Sequence, residues 1–211
     1  MNYIVDHIPK SKEKRPGTKA NITTVTIHNT GNPTSTARNE RGWLTNPYNN
    51  RAASFHIVVD EDEAIECIPL DEVAYHAGNT EGNTTSIGIE LCESGNQQRV
   101  WRNGVALAAK ILHERGWGIS RLRTHQSWSG KYCPRLILPK WDEFLSDVEK
   151  ELIILNGDGV PEWKKEGINY LGDNRLITDS AGWLKKIDEP MPVWAAMIVM
   201  ANIHRDLKGE K

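Results

Sequence analysis

Asn21-Ile-Thr-Thr-Val-Thr-Ile-His28 runs directly into Asn29-Thr-Gly-Asn-Pro33. The first run is rich in β-branched residues, with Val25 and Ile27 as its apolar side chains, and it reads as a strand. The second has the Asn, Gly and Pro chemistry of a loop. His28 is therefore left at the C-terminal end of a strand, at the mouth of a sheet, where mixed α/β folds put their sites. A lone histidine is more often a satisfied structural residue, and its placement is what singles this one out. A helix from Ser35 or Thr36 as N-cap to Leu44 follows, ended by Asn46-Pro-Tyr-Asn-Asn50.

Outward from that unit, Ser54–Asp60 and Glu63–Ile68 are two apolar runs around the acidic turn Asp60-Glu-Asp62, and they predict an antiparallel hairpin. Tyr75-His-Ala-Gly-Asn79 is a polar loop whose His76 looks exposed. In Asn83–Cys92, Ile87, Ile89 and Leu91 alternate as a strand requires, which points Glu90 to the opposite face. Period-2 alternation does not say which face is solvent, so Glu90 reads equally as a surface charge. Gln97–Arg115 carries Trp101, Val105, Ala108 and Leu112 on one helical face and ends at Gly116. Pro139 at N1 opens another helix, with Trp141, Leu145, Val148 and Leu152 together. Residues 1–20, with Lys10, Lys12, Lys14, Arg15, Lys19 and two prolines, read as an extended arm whose charges are solvated.

The chain has 211 residues, enough for one domain of roughly 150 residues and an appendage. Asn156-Gly-Asp-Gly159 is the linker, dividing 1–156 from a small helical unit, 157–211. In that tail Pro161 and Pro192 each precede a tryptophan and are expected to open helices, with Asp173-Asn174 and Asp179-Ser180 as turns. A formal charge of −2 argues against nucleic acid as a partner. The longest apolar run, around Met191–Ala201, is too short for membrane insertion. The first residues have neither a basic nor an apolar signal region, so synthesis in the cytoplasm without a signal peptide is expected. Three cysteines exclude a disulfide framework, and Cys67 and Cys92 read as small buried apolar groups. Nothing in the sequence fixes an oligomeric state.

The densest chemistry lies in Arg123-Thr-His-Gln-Ser-Trp-Ser-Gly-Lys-Tyr-Cys-Pro134. An imidazole (His125) and a thiol (Cys133) make a half-site for a borderline-soft cation such as zinc. Seven residues separate them and no Cys-x-x-Cys occurs, which disfavours a structural zinc module. A catalytic zinc takes three protein ligands, so a third would come from elsewhere. On its own the pair is compatible with a plain structural role.

Taken together, His28, Ser54-Phe-His56, Tyr75-His76-Ala-Gly78, Ser86-Ile-Gly-Ile-Glu90 and His125 through Lys131-Tyr-Cys133-Pro resemble the zinc-dependent N-acetylmuramoyl-L-alanine amidases. This is the amidase-2 family, which shares its fold with peptidoglycan recognition proteins and small phage amidases. The Ser-Gly-Lys-Tyr-Cys-Pro and Ile-Gly-Ile-Glu pieces look most like endolysins and autolysins of Gram-positive walls. The resemblance implies a mixed α/β (α+β) fold, a central mixed β-sheet of about five or six strands flanked by helices on both faces. It implies one zinc per chain on His28, His125 and Cys133, with Glu90 and Lys131 as the catalytic pair. His56 and His76 match groove positions and are expected to touch substrate, with buried structural histidine as the alternative; Asn29, Asn83 and Thr124 beside them are expected to bind saccharide or stem peptide. The implied partner is peptidoglycan, reached after release from the cell as with a phage or prophage endolysin. The alternatives are a non-catalytic peptidoglycan-binding protein and a cytosolic muropeptide-recycling amidase.

Overall fold

The structure, a computed structural model, describes residues 1–156, 162–186 and 193–209. The chain falls into two compact units, Met1–Glu149 and Lys150–Lys211. The first is built on six strands: β1 (Asn2–Val5), β2 (Thr24–Asn29), β3 (Ile57–Val59), β4 (Glu63–Glu66), β5 (Ser86–Leu91) and β6 (Leu122–Thr124). They lie in the order β1-β4-β3-β5-β2-β6, parallel at every pairing except the β3–β4 hairpin. This is the mixed sheet flanked by helices that the sequence implied. The hairpin needs only the short acidic turn, whereas β2, β5 and β6 run parallel because helical crossovers return the chain to the same edge.

Helix α1 (Ala37–Thr45) starts at Thr36, whose hydroxyl accepts from the Asn39 amide while Asn39 reaches back to the Thr36 N–H, a capping box. Its Ala37 and Leu44 are buried with Val58, Ile65, Cys67 and Cys92 in one core cluster. Glu40 lies between them at helical spacing, so this carboxylate shares the face that α1 turns to the sheet. The short α2 (Thr80–Thr85) leads into β5, and α3 (Gln97–Glu114) lies over the other sheet face, with Gly104 against Leu91. Ile27, Ile87 and Ile89 are 0% exposed on that face, each burial contributing about 1.5–3 kcal/mol. After β6 come α4 (His125–Ser129) and α5 (Trp141–Asn156). Pro139 lies in a 3-10 turn, Leu138–Lys140, rather than at the first position of α5. In α5, Phe144 and Val148 are fully buried, and Phe144 stacks edge-on against Trp101.

The N-terminal segment corrects one expectation. Residues 2–5 form the edge strand of the sheet, and the charge run is partly internal. Lys14 is 5% exposed, with its ammonium 4.2 Å from the centre of the Trp43 ring and bonded to the carbonyls of Arg51 and Ala53. Arg15 forks onto Glu72 and bonds the Ile8 carbonyl. Carbonyl and carboxylate acceptors offset the cost of taking these two cations out of water, and that is what packs the arm.

His56 is fully buried. Its Nδ1 accepts from the Gly88 amide and its Nε2 donates to the Glu72 carbonyl, both at 2.9 Å. Burial pulls its pKa down to about 4 from 6.5, against a smaller opposing effect of the Glu72 carbonyl. The unfolded chain therefore binds a proton below pH 6.5 that the folded chain refuses, so stability falls as pH drops from about 6.5 to about 4. At about 1.4 kcal/mol per pH unit this is about 3 kcal/mol over the window. Melting curves of chelator-treated protein across that range check it. His56→Asn, which cannot take a proton, should make this part of the profile shallower by that amount, with the other buried histidines still contributing, while lowering stability at neutral pH.

The second unit contains α6 (Glu162–Asp173), α7 (Ser180–Lys185), N-capped by Asp179, and α8 (Val193–Leu207). The expected linker glycines, Gly157 and Gly159, and the helix-opening Pro161 and Pro192 lie outside the described residues. Among the described residues no helix is long and apolar enough to cross a membrane.

Candidate functional site

His28, His125 and Cys133 come from three segments and meet at the C-terminal edge of β2. His28 is carried by the β2 ladder. His125 is the first residue of α4, held over β2 because the Trp128 indole N–H donates to Thr26 Oγ1 at 2.9 Å. Thr124 caps α4 by accepting from the Ser127 amide, and Gly130 ends it in the left-handed region at φ 78°, which glycine reaches without strain. The chain then turns back to deliver Cys133.

His28 Nδ1 stands 3.2 Å from His125 Nδ1 and 3.7 Å from Cys133 Sγ, and the three donor atoms all lie within 4.8 Å of one another. Donors on a tetrahedral ion, with bonds of about 2.0 Å to nitrogen and 2.3 Å to sulfur, stand roughly 3.3 to 3.6 Å apart. Two of the separations already match, and two nitrogens with one sulfur suit a borderline-soft cation. Among the described residues no fourth His, Cys, Asp or Glu joins the group, so a metal here keeps an open position.

The ring orientation is fixed from behind. His76 Nε2 donates to the Ser86 carbonyl at 2.9 Å, which leaves His76 Nδ1 to accept from His28 Nε2 at 3.0 Å. His28 must then present its Nδ1 lone pair toward His125 and Cys133, the form a metal needs. All three rings are held neutral. Burial pulls His76 to about 3 and His28 well below its ordinary value; burial, with the Lys131 ammonium second, pulls His125 to about 4. Burial and then the Glu90 carboxylate push the Cys133 thiol up to about 11.

Glu90 is the register partner of His28, so both side chains stand on one face of the sheet. Its Oε2 is buried without a hydrogen-bond partner. Burial, then the Glu40 carboxylate, raises its pKa to about 8, with Lys131 opposing. Lys131 is exposed, two residues from Cys133, and its charge is felt at His28, Glu90, His125 and Cys133.

The remaining expected site residues are held by bonds within the protein. His76 is 6% exposed, not open to solvent, and supports His28. His56 is 0% exposed with both nitrogens bonded to backbone, so it is unavailable to a substrate in this arrangement. Asn83 Oδ1 accepts from the His76 and Ala77 amides, Asn29 Oδ1 accepts from the Leu136 amide, and Thr124 caps α4. Their polar atoms position the loops around the site.

Gly88 and Ser86 stand in the Ser86–Glu90 motif, but no role for either was read from the sequence. A Cβ on Gly88 would lie 2.6 Å from His76 Cγ and 2.8 Å from its Nδ1, so the ring occupies the space that glycine leaves. A glycine in the middle of a strand is the available signal, since it marks a close approach. Gly88→Ala should displace His76, free the His28 ring and weaken metal binding by roughly 10–100-fold, the usual cost of losing a ligand's outer partner. Competition with a chromogenic chelator measures it.

Comparison with known proteins follows the same lines. A family model described as N-acetylmuramoyl-L-alanine amidase matches residues 18–136. The N-acetylmuramoyl-L-alanine amidase XlyB of Bacillus subtilis (strain 168) is 45% identical over 137 residues, 61% of this chain and 42% of XlyB. The catalytic domain of XlyA superposes with a TM-score of 0.66 at 35% identity, covering 70% of this chain and 99% of that domain. A mutant endolysin from Bacillus subtilis gives the same TM-score of 0.66 and 35% identity, covering 70% and 98%. The chain spans about half the length of the curated relatives it matches.

Proposed function

Since this chain belongs to the N-acetylmuramoyl-L-alanine amidase family, matched over residues 18–136, we propose that it is a zinc-dependent peptidoglycan hydrolase. It cuts the amide between the lactyl group of N-acetylmuramic acid and L-alanine of the stem peptide. The observation that carries this reading is the buried His28, His125 and Cys133 group with Glu90 in register beside it. His28 and His125 would hold the ion through Nδ1 and Cys133 through Sγ. When bound there, zinc supplies a Lewis acid that polarises the scissile carbonyl and acidifies water.

The protein's own groups do the rest. Glu90, beside His28 and free at Oε2, takes the proton of the attacking water and passes it to the leaving amine of L-alanine. A cation at the three donors favours the carboxylate form of Glu90, which prepares it as a base. Lys131 offers its ammonium to the oxyanion that develops on the carbonyl. An open three-donor site with a base beside it supports an enzyme over a binding protein. The likeness to an endolysin supports a wall lysin of phage or prophage origin.

We also assign residues 157–211 to wall targeting, supported by the apolar side chains that α8 exposes at Trp194, Met197 and Ile198. Truncation after Asn156 should weaken lysis of walls, and a fluorescent fusion of 157–211 should decorate them; a truncated enzyme with full lysis and no decoration by the fusion opposes the assignment. For the reaction itself, mass spectrometry of digested walls should show stem peptides with free L-alanine amino termini and glycan strands bearing intact lactyl carboxyls. Fragments cut between sugars, or within the peptide, contradict it. Equal activity on soluble muropeptides with none on intact walls favours a recycling amidase instead.

A further inference from the structure

Cys133 is the one donor that no strand or helix carries. His28 sits in the β2 ladder and His125 opens α4, while residues 130–137 form an irregular limb. That limb is tied down at both ends of a short span. The Gln126 amide donates to the Cys133 carbonyl at 3.1 Å, and the Leu136 amide donates to Asn29 Oδ1 at 3.0 Å. Between them, Arg135 forks onto Glu93, its Nε donating to Oε1 at 2.8 Å and a terminal nitrogen pairing with Oε2. Glu93 follows β5 and its side chain is 1% exposed; the same Oε1 accepts from the Gly31 amide at 3.2 Å. One buried carboxylate thus joins the loop after β2, the segment after β5 and the limb bearing the thiol, two residues from Cys133.

We propose that Glu93 and Arg135 are positioning residues for Cys133, setting where its sulfur stands and so the affinity of the metal site; this rests on the zinc reading above. The fork matters because two parallel N–H···O bonds fix direction as well as distance, which a single ammonium cannot do. A limb without a ladder of its own depends on such links to hold a ligand within bonding range, as metal ligands depend on their outer partners.

The test uses the full chain, stripped of metal and titrated with zinc against a chromogenic chelator, and then loaded with cobalt to read the thiolate-to-cobalt charge-transfer band. Arg135→Lys should lose roughly 10–100-fold in zinc affinity and weaken or shift that band. The double variant Glu93→Gln with Arg135→Gln, which leaves no lone buried charge to unfold the protein, should behave likewise. Arg41→Lys alters another arginine–carboxylate pair, Arg41 with Asp6, in a segment that carries no donor, and should leave affinity and band unchanged. Wild-type affinity and an unaltered band in both Arg135 variants overturn the proposal, as does an equal loss in Arg41→Lys. If the wild-type chain itself binds no zinc, the metal reading falls and this inference with it.

Discussion

Cys133→Ser is expected to lose bound zinc and wall lysis together. The site has three protein donors and no fourth among the described residues, so removing the sulfur leaves two neutral imidazoles and no anion. Without a cation the Cys133 thiol is held up near 11 by burial and by Glu90, so its charge forms when a metal displaces the proton. A serine hydroxyl is a far weaker acid and does not supply that anion. The loss in affinity should exceed the roughly 100-fold upper range seen for outer partners. Elemental analysis of the purified variant and the clearing rate of a wall suspension measure the two effects. A variant with stoichiometric zinc and undiminished lysis would remove Cys133 from the site.

Glu90→Gln should separate chemistry from metal binding. The amide keeps the shape of the side chain and cannot accept the proton of the attacking water, a loss of roughly 10²–10⁴ in rate. Zinc content should be unchanged, because the proposed donors are His28, His125 and Cys133. Stability of the metal-free protein should hold or improve at neutral pH. The sign follows from the raised pKa of about 8: the folded chain keeps a proton that the unfolded chain releases above about 4.5, so the buried carboxyl subtracts stability as pH rises through that window. Single-turnover cleavage of a muropeptide, with zinc content and melting temperature read on the same sample, checks all three. Release of zinc by Glu90→Gln would instead make Glu90 a ligand.

Much of the site was readable because its residues announce their chemistry. A β-branched run ending in His28 and then a loop says where that imidazole stands, and a nearby His and Cys say what they favour. What was not readable is how burial reassigns polar side chains. His56 and His76 look like groove residues until backbone carbonyls at Glu72 and Ser86 satisfy them inside the core. Glu40 drew no reading in the sequence, yet Ala37 and Leu44 turn its face toward the sheet, where its charge acts on Glu90. The edge strand Asn2–Val5 was hidden by the lysines and prolines after it, since no local pattern shows that Lys14 will find carbonyls and an aromatic face. Each case depends on a partner distant in sequence, which periodicity and composition do not encode.

The most direct measurement is a crystal structure of the zinc-loaded protein with anomalous diffraction collected on both sides of the zinc edge. One zinc per chain is expected, about 2.0 Å from His28 Nδ1 and His125 Nδ1 and about 2.3 Å from Cys133 Sγ, with its fourth position facing Glu90. A protein carrying stoichiometric zinc whose anomalous peak lies away from these atoms, or is bound through His28 Nε2, would contradict it.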